Sequence, residues 1–155
     1  MKQEYVGLVL LIERLHRRFL DVVKSELDGL RIEDVNNVQT LILYNIGDEN
    51  LTIGELTNRG YYLGSNVSYN IKKLVENQYL VQERSHHDKR SVKVKLSDKG
   101  LALVDKIDAL LQRNIDQLKS KQGVSLEDIN GLNKNLRMLE SFWSGVISST
   151  QTYQA

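Results

Sequence analysis

Two groups of polar residues in the middle of this 155-residue chain have the types and spacing to hold a polyanion. The first lies in "SNVSYNIKKLVENQ", residues 65–78. On a helical wheel Ser65, Asn66, Tyr69, Lys72 and Lys73 fall on one side, and Val67, Ile71, Leu74 and Val75 on the other. Hydrogen-bonding groups at one end and two ammonium groups further along suit base edges and phosphates. No acid interrupts that face before Glu76. The second group is "SHHDKR", residues 85–90, set between two short alternating stretches. Residues 59–99 hold nine Lys/Arg against four Asp/Glu, a net +5, while the rest of the chain is −4. The overall charge of +1 therefore conceals a basic middle between acidic flanks. Clustered cations displace condensed counterions, which is what a localised polyanion-binding face requires.

Other chemistries find little foothold. His86, His87 and Asp88 are metal-ligand types, but neighbours on a loop tip point different ways and no third spaced ligand follows. No metal or cofactor is expected. No nucleophile elbow, phosphate-binding glycine loop or zinc-type His-Glu pattern occurs, so no catalytic residue is assigned and an enzyme is not expected. There is no cysteine, which excludes disulfides and thiolate sites and fits a reducing cytoplasm. No apolar run approaches the ~20 residues that span a bilayer. Glu4 and Glu13 within the opening segment argue for an amphipathic helix over a signal peptide.

The elements that must position these groups can be read from periodicity and caps. Residues 3–28 form a helix with Leu8, Leu11, Leu15, Phe19 and Val22 as its apolar stripe and Gly29 as its stop. Residues 36–46 form a second, more buried helix capped by Asn36 or Asn37. In "LTIGELTNRG" Thr52 and Glu55 make a capping box, with Leu51 and Leu56 at the staple positions and Gly60 closing the helix. Ser65 caps the helix that carries the first polar group. Residues 79–84 and 91–96 alternate as two hairpin strands. Ser97 caps a long helix that Gly123 breaks, and Ser125 with Asp128 caps the last one. That last helix repeats Ile129, Leu132, Leu136, Leu139, Trp143 and Val146 at steps of three and four, a heptad seam.

Helix, turn, helix and a hairpin with a charged loop is the winged helix-turn-helix plan. Its second helix enters the major groove and the hairpin tip reaches the neighbouring minor groove. On that plan the hairpin would bury little of the protein because its tip is meant to be buried in DNA. The chain also resembles the MarR family of regulators over nearly its whole length. The resemblance rests on "LTIGELTNR", on "SNVSYNIKKLVENQYLVQERS", and on "DKRSVKVKLSDKG" for the wing and the start of the following helix.

The resemblance implies residue roles. Arg90 would enter the minor groove with Lys89 beside it, and Asp88 would brace Arg90 through a charge-assisted bond. Ser65, Asn66, Ser68 and Tyr69 would meet base edges or nearby phosphates, and Lys72 and Lys73 would neutralise phosphates. Two departures stand out. No arginine lies on the outward face of the reading helix, so bidentate guanine recognition is unavailable there. Many relatives place a glycine before the first strand, where this chain has Gln78-Tyr79.

The expected fold is mainly α with a small β-hairpin (α+β), a single domain over 1–155. Residues 36–97 form the DNA-binding lobe, 1–30 and 98–148 the dimerisation helices, and 149–155 a frayed tail. Family members are dimers, and the seam of the last helix independently requires a cover. Two reading helices about one helical turn apart imply a pseudo-palindromic operator. The resemblance also implies control by a small aromatic or anionic effector, for which His16, Thr40 and Tyr44 are the candidates. The expected partners are thus double-stranded DNA, a second copy of the chain and such an effector, with no membrane. The rival reading is a winged-helix protein-interaction module, which would favour acids or apolar residues on the face of Ser65, Asn66, Tyr69 and Lys72.

Overall fold

A computed structural model describes residues 1–58, 64–84 and 92–152, with side chains in those ranges except at 58, 64, 65, 84 and 150–152. The element order is α1 (Lys2–Gly29), α2 (Asn37–Ile46), β1 (Leu51–Thr52), α3 (Ile53–Asn58), α4 (Gly64–Glu76), β2 (Leu80–Arg84), β3 (Val92–Leu96), α5 (Asp98–Gln122) and α6 (Leu126–Thr152). The chain divides into two units, residues 1–110 and 111–155. Among the described residues no helix is long and apolar enough to cross a membrane.

The caps follow the local chemistry of the sequence. Asn36, not Asn37, caps α2, and Gln39 completes a capping box with it. Asn37 turns back instead and donates to the Leu20 carbonyl at 3.0 Å. Thr52 and Glu55 make their reciprocal box, with Glu55 N donating to Thr52 Oγ1 and Thr52 N to Glu55 Oε2. Ser97 Oγ accepts from Gly100 N, and Ser125 Oγ from Asp128 N. Each bond spans three residues, so each is legible in the sequence.

Three helix ends are not given by the sequence reading. Gly29 is the last helical residue, but the left-handed position beyond it is Arg31, at φ 56°. Ile32 N then bonds Leu27 O and Arg31 N bonds Asp28 O, the Schellman pattern. Helix α4 ends the same way: Gln78 takes φ 65°, Tyr79 N bonds Leu74 O, and Gln78 N bonds Val75 O. Gln78 thus occupies the conformation that a glycine would favour. At the other end of the chain α6 continues to Thr152, four residues beyond the expected stop near 148.

The sheet has three strands, not the two of a simple hairpin, in the order β1-β3-β2. The added strand is two residues long, with Leu51 opposite Val94 and Thr52 opposite Lys93. β2 and β3 pair antiparallel from Leu80↔Leu96 to Arg84↔Val92. Two residues carry no periodicity, so only the partner strand reveals β1.

The core of the first unit gathers Val23 and Leu27 from α1, Ile42, Leu43 and Ile46 from α2, and Val67, Ile71 and Leu74 from α4. Leu80 and Val94 of the sheet and Leu103 and Ile107 of α5 join it. Only the C-terminal part of α1 is buried. Leu11, Leu15 and Val22 of its expected stripe are 38–57% exposed. In the second unit no residue from 111 to 149 is buried within the single chain. Along the α6 seam Leu132 is 59% and Leu136 44% exposed.

Candidate nucleic-acid interface

The inward face of α4 is anchored by Val67, Ile71 and Leu74, each 1% exposed. That fixes the opposite face outward. Asn66, Ser68, Tyr69 and Lys72 are exposed there, and Tyr69 presents 61% of its surface. Lys73 lies at the edge of this face and is half-buried. The structure therefore brings together all the expected reading-helix residues whose side chains it describes. Ser65 lies in α4 with its side chain outside the described ones, and Asp88, Lys89 and Arg90, like His86 and His87, lie outside the described residues.

The cations of this segment are less free than their number suggests. Lys73 Nζ donates to Glu76 Oε2 at 2.7 Å, and Lys72 Nζ lies 3.9 Å from Glu76 Oε1. The hydrogen bond to Glu76 raises the Lys73 pKa, and the same bond from Lys73 lowers that of Glu76. Lys95 pairs with Glu83 across β2 and β3, and Asn50 Nδ2 donates to the other oxygen of that carboxylate. Those bonds, Lys95 first, lower the Glu83 pKa. Lys99 is held by Asp34. A polyanion must compete with Glu76 for both lysines of α4. The three- and four-residue spacing of that contact is readable in the sequence.

The C-terminal end of α4 is clasped from two sides. Asn77 Nδ2 donates to the Asp34 carbonyl at 2.5 Å. Lys99 Nζ donates to the Asn77 carbonyl at 2.9 Å and to Asp34 Oδ2 at 2.5 Å. Tyr79 Oη donates to Asp34 Oδ1 at 2.7 Å, and Lys99 Nζ sits 4.1 Å from the Tyr79 ring centroid. Burial, reinforced by the bond to Asp34, pushes the Tyr79 phenol well above its ordinary range. Burial pushes Asp34 upward too, but the bonds from Lys99 and Tyr79 outweigh it and hold the carboxyl below its usual value. The loop after α1 and the start of α5 thus fix where α4 ends.

One feature of α4 escaped the wheel. Asn70 is 9% exposed, on the apolar side, and accepts a bond from Gln39 Nε2 of α2 at 3.2 Å. Gln39 is 6% exposed. The sequence signal was a lone amide between Val67 and Ile71 on an inward arc, but its partner lies 31 residues away.

The three effector candidates stand apart in environment. His16 is exposed on α1. Thr40 is 1% exposed and donates its hydroxyl to the Asn36 carbonyl. Tyr44 is half-buried and donates to Asp108 Oδ1 at 3.1 Å; burial first, then that carboxylate, raises its pKa. A cleft of about 430 Å³ lies elsewhere, lined by Arg31, Asp34, Tyr79, Lys99, Leu103 and Lys106 among others, and by none of the three.

The model of a winged helix DNA-binding domain matches residues 35–100. Over 99 residues the chain is 41% identical to the exopolysaccharide II synthesis transcriptional activator ExpG of Rhizobium meliloti (strain 1021), covering 64% of this chain and 51% of ExpG. The chain spans about half the length of the curated relatives it matches. Its fold is similar to that of Streptococcus pneumoniae FabT in complex with DNA, at TM-score 0.74 and 20% identity, over 92% of this chain and 99% of FabT. It is equally similar to a Staphylococcus aureus MarR in complex with salicylate and kanamycin, at TM-score 0.74 and 21% identity, over 93% of both chains.

Proposed function

The chain carries a winged-helix DNA-binding domain and has the fold of the MarR regulators, and from that premise we propose that it is a transcription regulator that binds duplex DNA as a homodimer. The observation that carries the reading is the two-sided character of α4. Its apolar anchors are sealed inward while Asn66, Ser68, Tyr69, Lys72 and Lys73 line the other side. A helix so mounted fits the major groove. Asn66 and Tyr69 read base edges, Lys72 and Lys73 meet phosphates, and Ser65 and Ser68 bond the backbone or a neighbouring base. Lys89 and Arg90, braced by Asp88, supply the minor-groove contact.

Dimerisation is supported by the second unit. Helix α6 carries an apolar seam at heptad spacing, and none of it is buried within one chain. Such a face in water needs a cover, and a second copy is self-complementary to it. Two reading helices then engage half-sites about 34 Å apart. Effector control rests on the fold shared with a regulator captured with salicylate. A small aromatic or anionic molecule is the ligand class of this reading; of the three candidates His16 and Tyr44 keep accessible surface, whereas Thr40 is sealed.

The test is selection of bound duplexes from a random pool, with sedimentation of the free protein. A two-fold symmetric consensus and a dimer are expected. A monomer with no affinity for any duplex in dilute buffer would overturn the reading in favour of a protein-docking module.

A further inference from the structure

We propose that Asn70 and Gln39 are positioning residues that set the rotation of α4 about its own axis, and through it the choice of DNA sequence; this rests on the reading above. The pair forms a relay of hydrogen bonds through two side-chain amides. Gln39 Oε1 accepts from Asn36 N at 3.0 Å, which ties Gln39 to the capped start of α2. Gln39 Nε2 donates to Asn70 Oδ1 at 3.2 Å, and Asn70 Nδ2 donates to the Asn66 carbonyl at 2.8 Å. Among the described residues, no buried side-chain nitrogen or oxygen is left without a partner.

Stability alone does not call for this arrangement. Both amides lose water on burial, and the bonds they gain roughly offset that loss. Two apolar side chains of similar volume would seal the same space without the cost. What an amide pair supplies is direction. Val67, Ile71 and Leu74 fix how deeply α4 sits, but apolar contacts tolerate small rotations. A hydrogen bond does not. Side-chain tips lie about 6 Å from a helix axis, so a rotation of roughly 20° moves them by about 2 Å, more than a base contact tolerates. Asn66, Tyr69 and Lys73 stand four and one residues before Asn70 and three after it, so their direction follows its own. The bond from Asn70 to the Asn66 carbonyl links the inner amide directly to the backbone of a reading residue. With no arginine on this helix to lock a guanine, orientation carries more of the discrimination.

The experiment compares Asn70→Leu, Gln39→Met and the double variant with the unaltered full-length chain. Each is measured for melting temperature, for affinity to the selected operator, and for affinity to a scrambled duplex of equal length. Each single variant leaves one buried amide without its partner, and Gln39→Met also opens the box at Asn36, so both should melt somewhat lower. The deciding result is scrambled-duplex affinity retained and an operator-to-scrambled ratio lowered about tenfold, the equivalent of one base contact. The operator-to-scrambled ratio of the double variant should be no lower than that of the worse single one, because the Gln39–Asn70 bond is the one that both remove. Gln39→Met alone also loses the bond from Asn36 N, and Asn70→Leu alone the bond to the Asn66 carbonyl. An unchanged ratio would overturn the proposal while leaving DNA binding intact. So would an equal fall in both affinities alongside a lowered melting temperature, which marks a merely structural role. If Asn70→Leu does not fold, Gln39→Met decides alone, since it removes the bond from the α2 side. An unaltered chain that binds no duplex removes the premise and the proposal together.

Discussion

Gly100 in the first turn of α5 lies so close to Tyr79 that a Cβ on it would overlap the Tyr79 carbonyl oxygen. That carbonyl also accepts from Ser97 N at 3.1 Å, so it cannot turn aside without breaking its bond to the capping residue of α5. Gly100→Ala should therefore lower stability by about 1–3 kcal/mol through forced backbone movement. Differential scanning calorimetry checks this, and an unchanged melting temperature would mean the two elements can separate freely.

Gln78 pays a backbone penalty at φ 65° that a glycine would not. Its side chain is exposed, and its backbone N–H and C=O bond Val75 O and Ser97 Oγ. Gln78→Gly keeps both bonds and should stabilise the protein by about 0.5–1 kcal/mol, the relief of strain less the added freedom of the unfolded chain. Urea titration reads the difference as a higher midpoint at constant slope.

Asp34 sets a pH dependence. Its carboxyl is held below its ordinary value in the fold, so its charged form adds stability above the unfolded pKa of about 3.9. That increment disappears as pH falls through the lower, folded value. Asp34→Asn should melt below the original protein at pH 7, and the gap between the two should close toward pH 3. A gap independent of pH would show that the Lys99 and Tyr79 bonds do not depend on the charge.

Glu76 holds Lys73 and Lys72, the two lysines the proposed function assigns to DNA phosphates. Glu76→Gln removes that ion pairing and one negative charge from the end of the reading face. Affinity for duplex should rise several-fold at low salt, and the advantage should shrink as salt screens it. Fluorescence anisotropy across a salt series checks it; weaker binding would mean that Glu76 orients Lys73 usefully.

On the proposed function Arg90 would supply the wing contact. Arg90→Ala should weaken operator binding by about 1–3 kcal/mol, with the largest loss on operators whose flanks are A·T-rich and narrow. Equal affinities for the two proteins would remove the wing from the interface.

How much of this was legible depends on the range of each interaction. The caps at Asn36, Thr52, Ser97 and Ser125 join residues three apart, and all four can be read from the order of residues. So can the two faces of α4, because helical periodicity sorts side chains before any partner is known. The contact of both lysines with Glu76 has the same short range, yet counting charges concealed it. A net charge says how many cations a segment holds and nothing about which are already paired.

The remaining features join distant parts of the chain. Gln39 meets Asn70 across 31 residues, and Lys99 meets Asp34 across 65. Strand β1 exists only because β3 passes beside it. Local order thus determined the helices, their N-terminal caps and the chemistry offered by the outward face of α4. Tertiary packing alone decided that a buried amide pair orients that face and that a carboxylate clasp fixes its far end. The physical reason is that a helix is closed by bonds within its own turns, whereas its rotation and its depth are set by whatever surface it is pressed against.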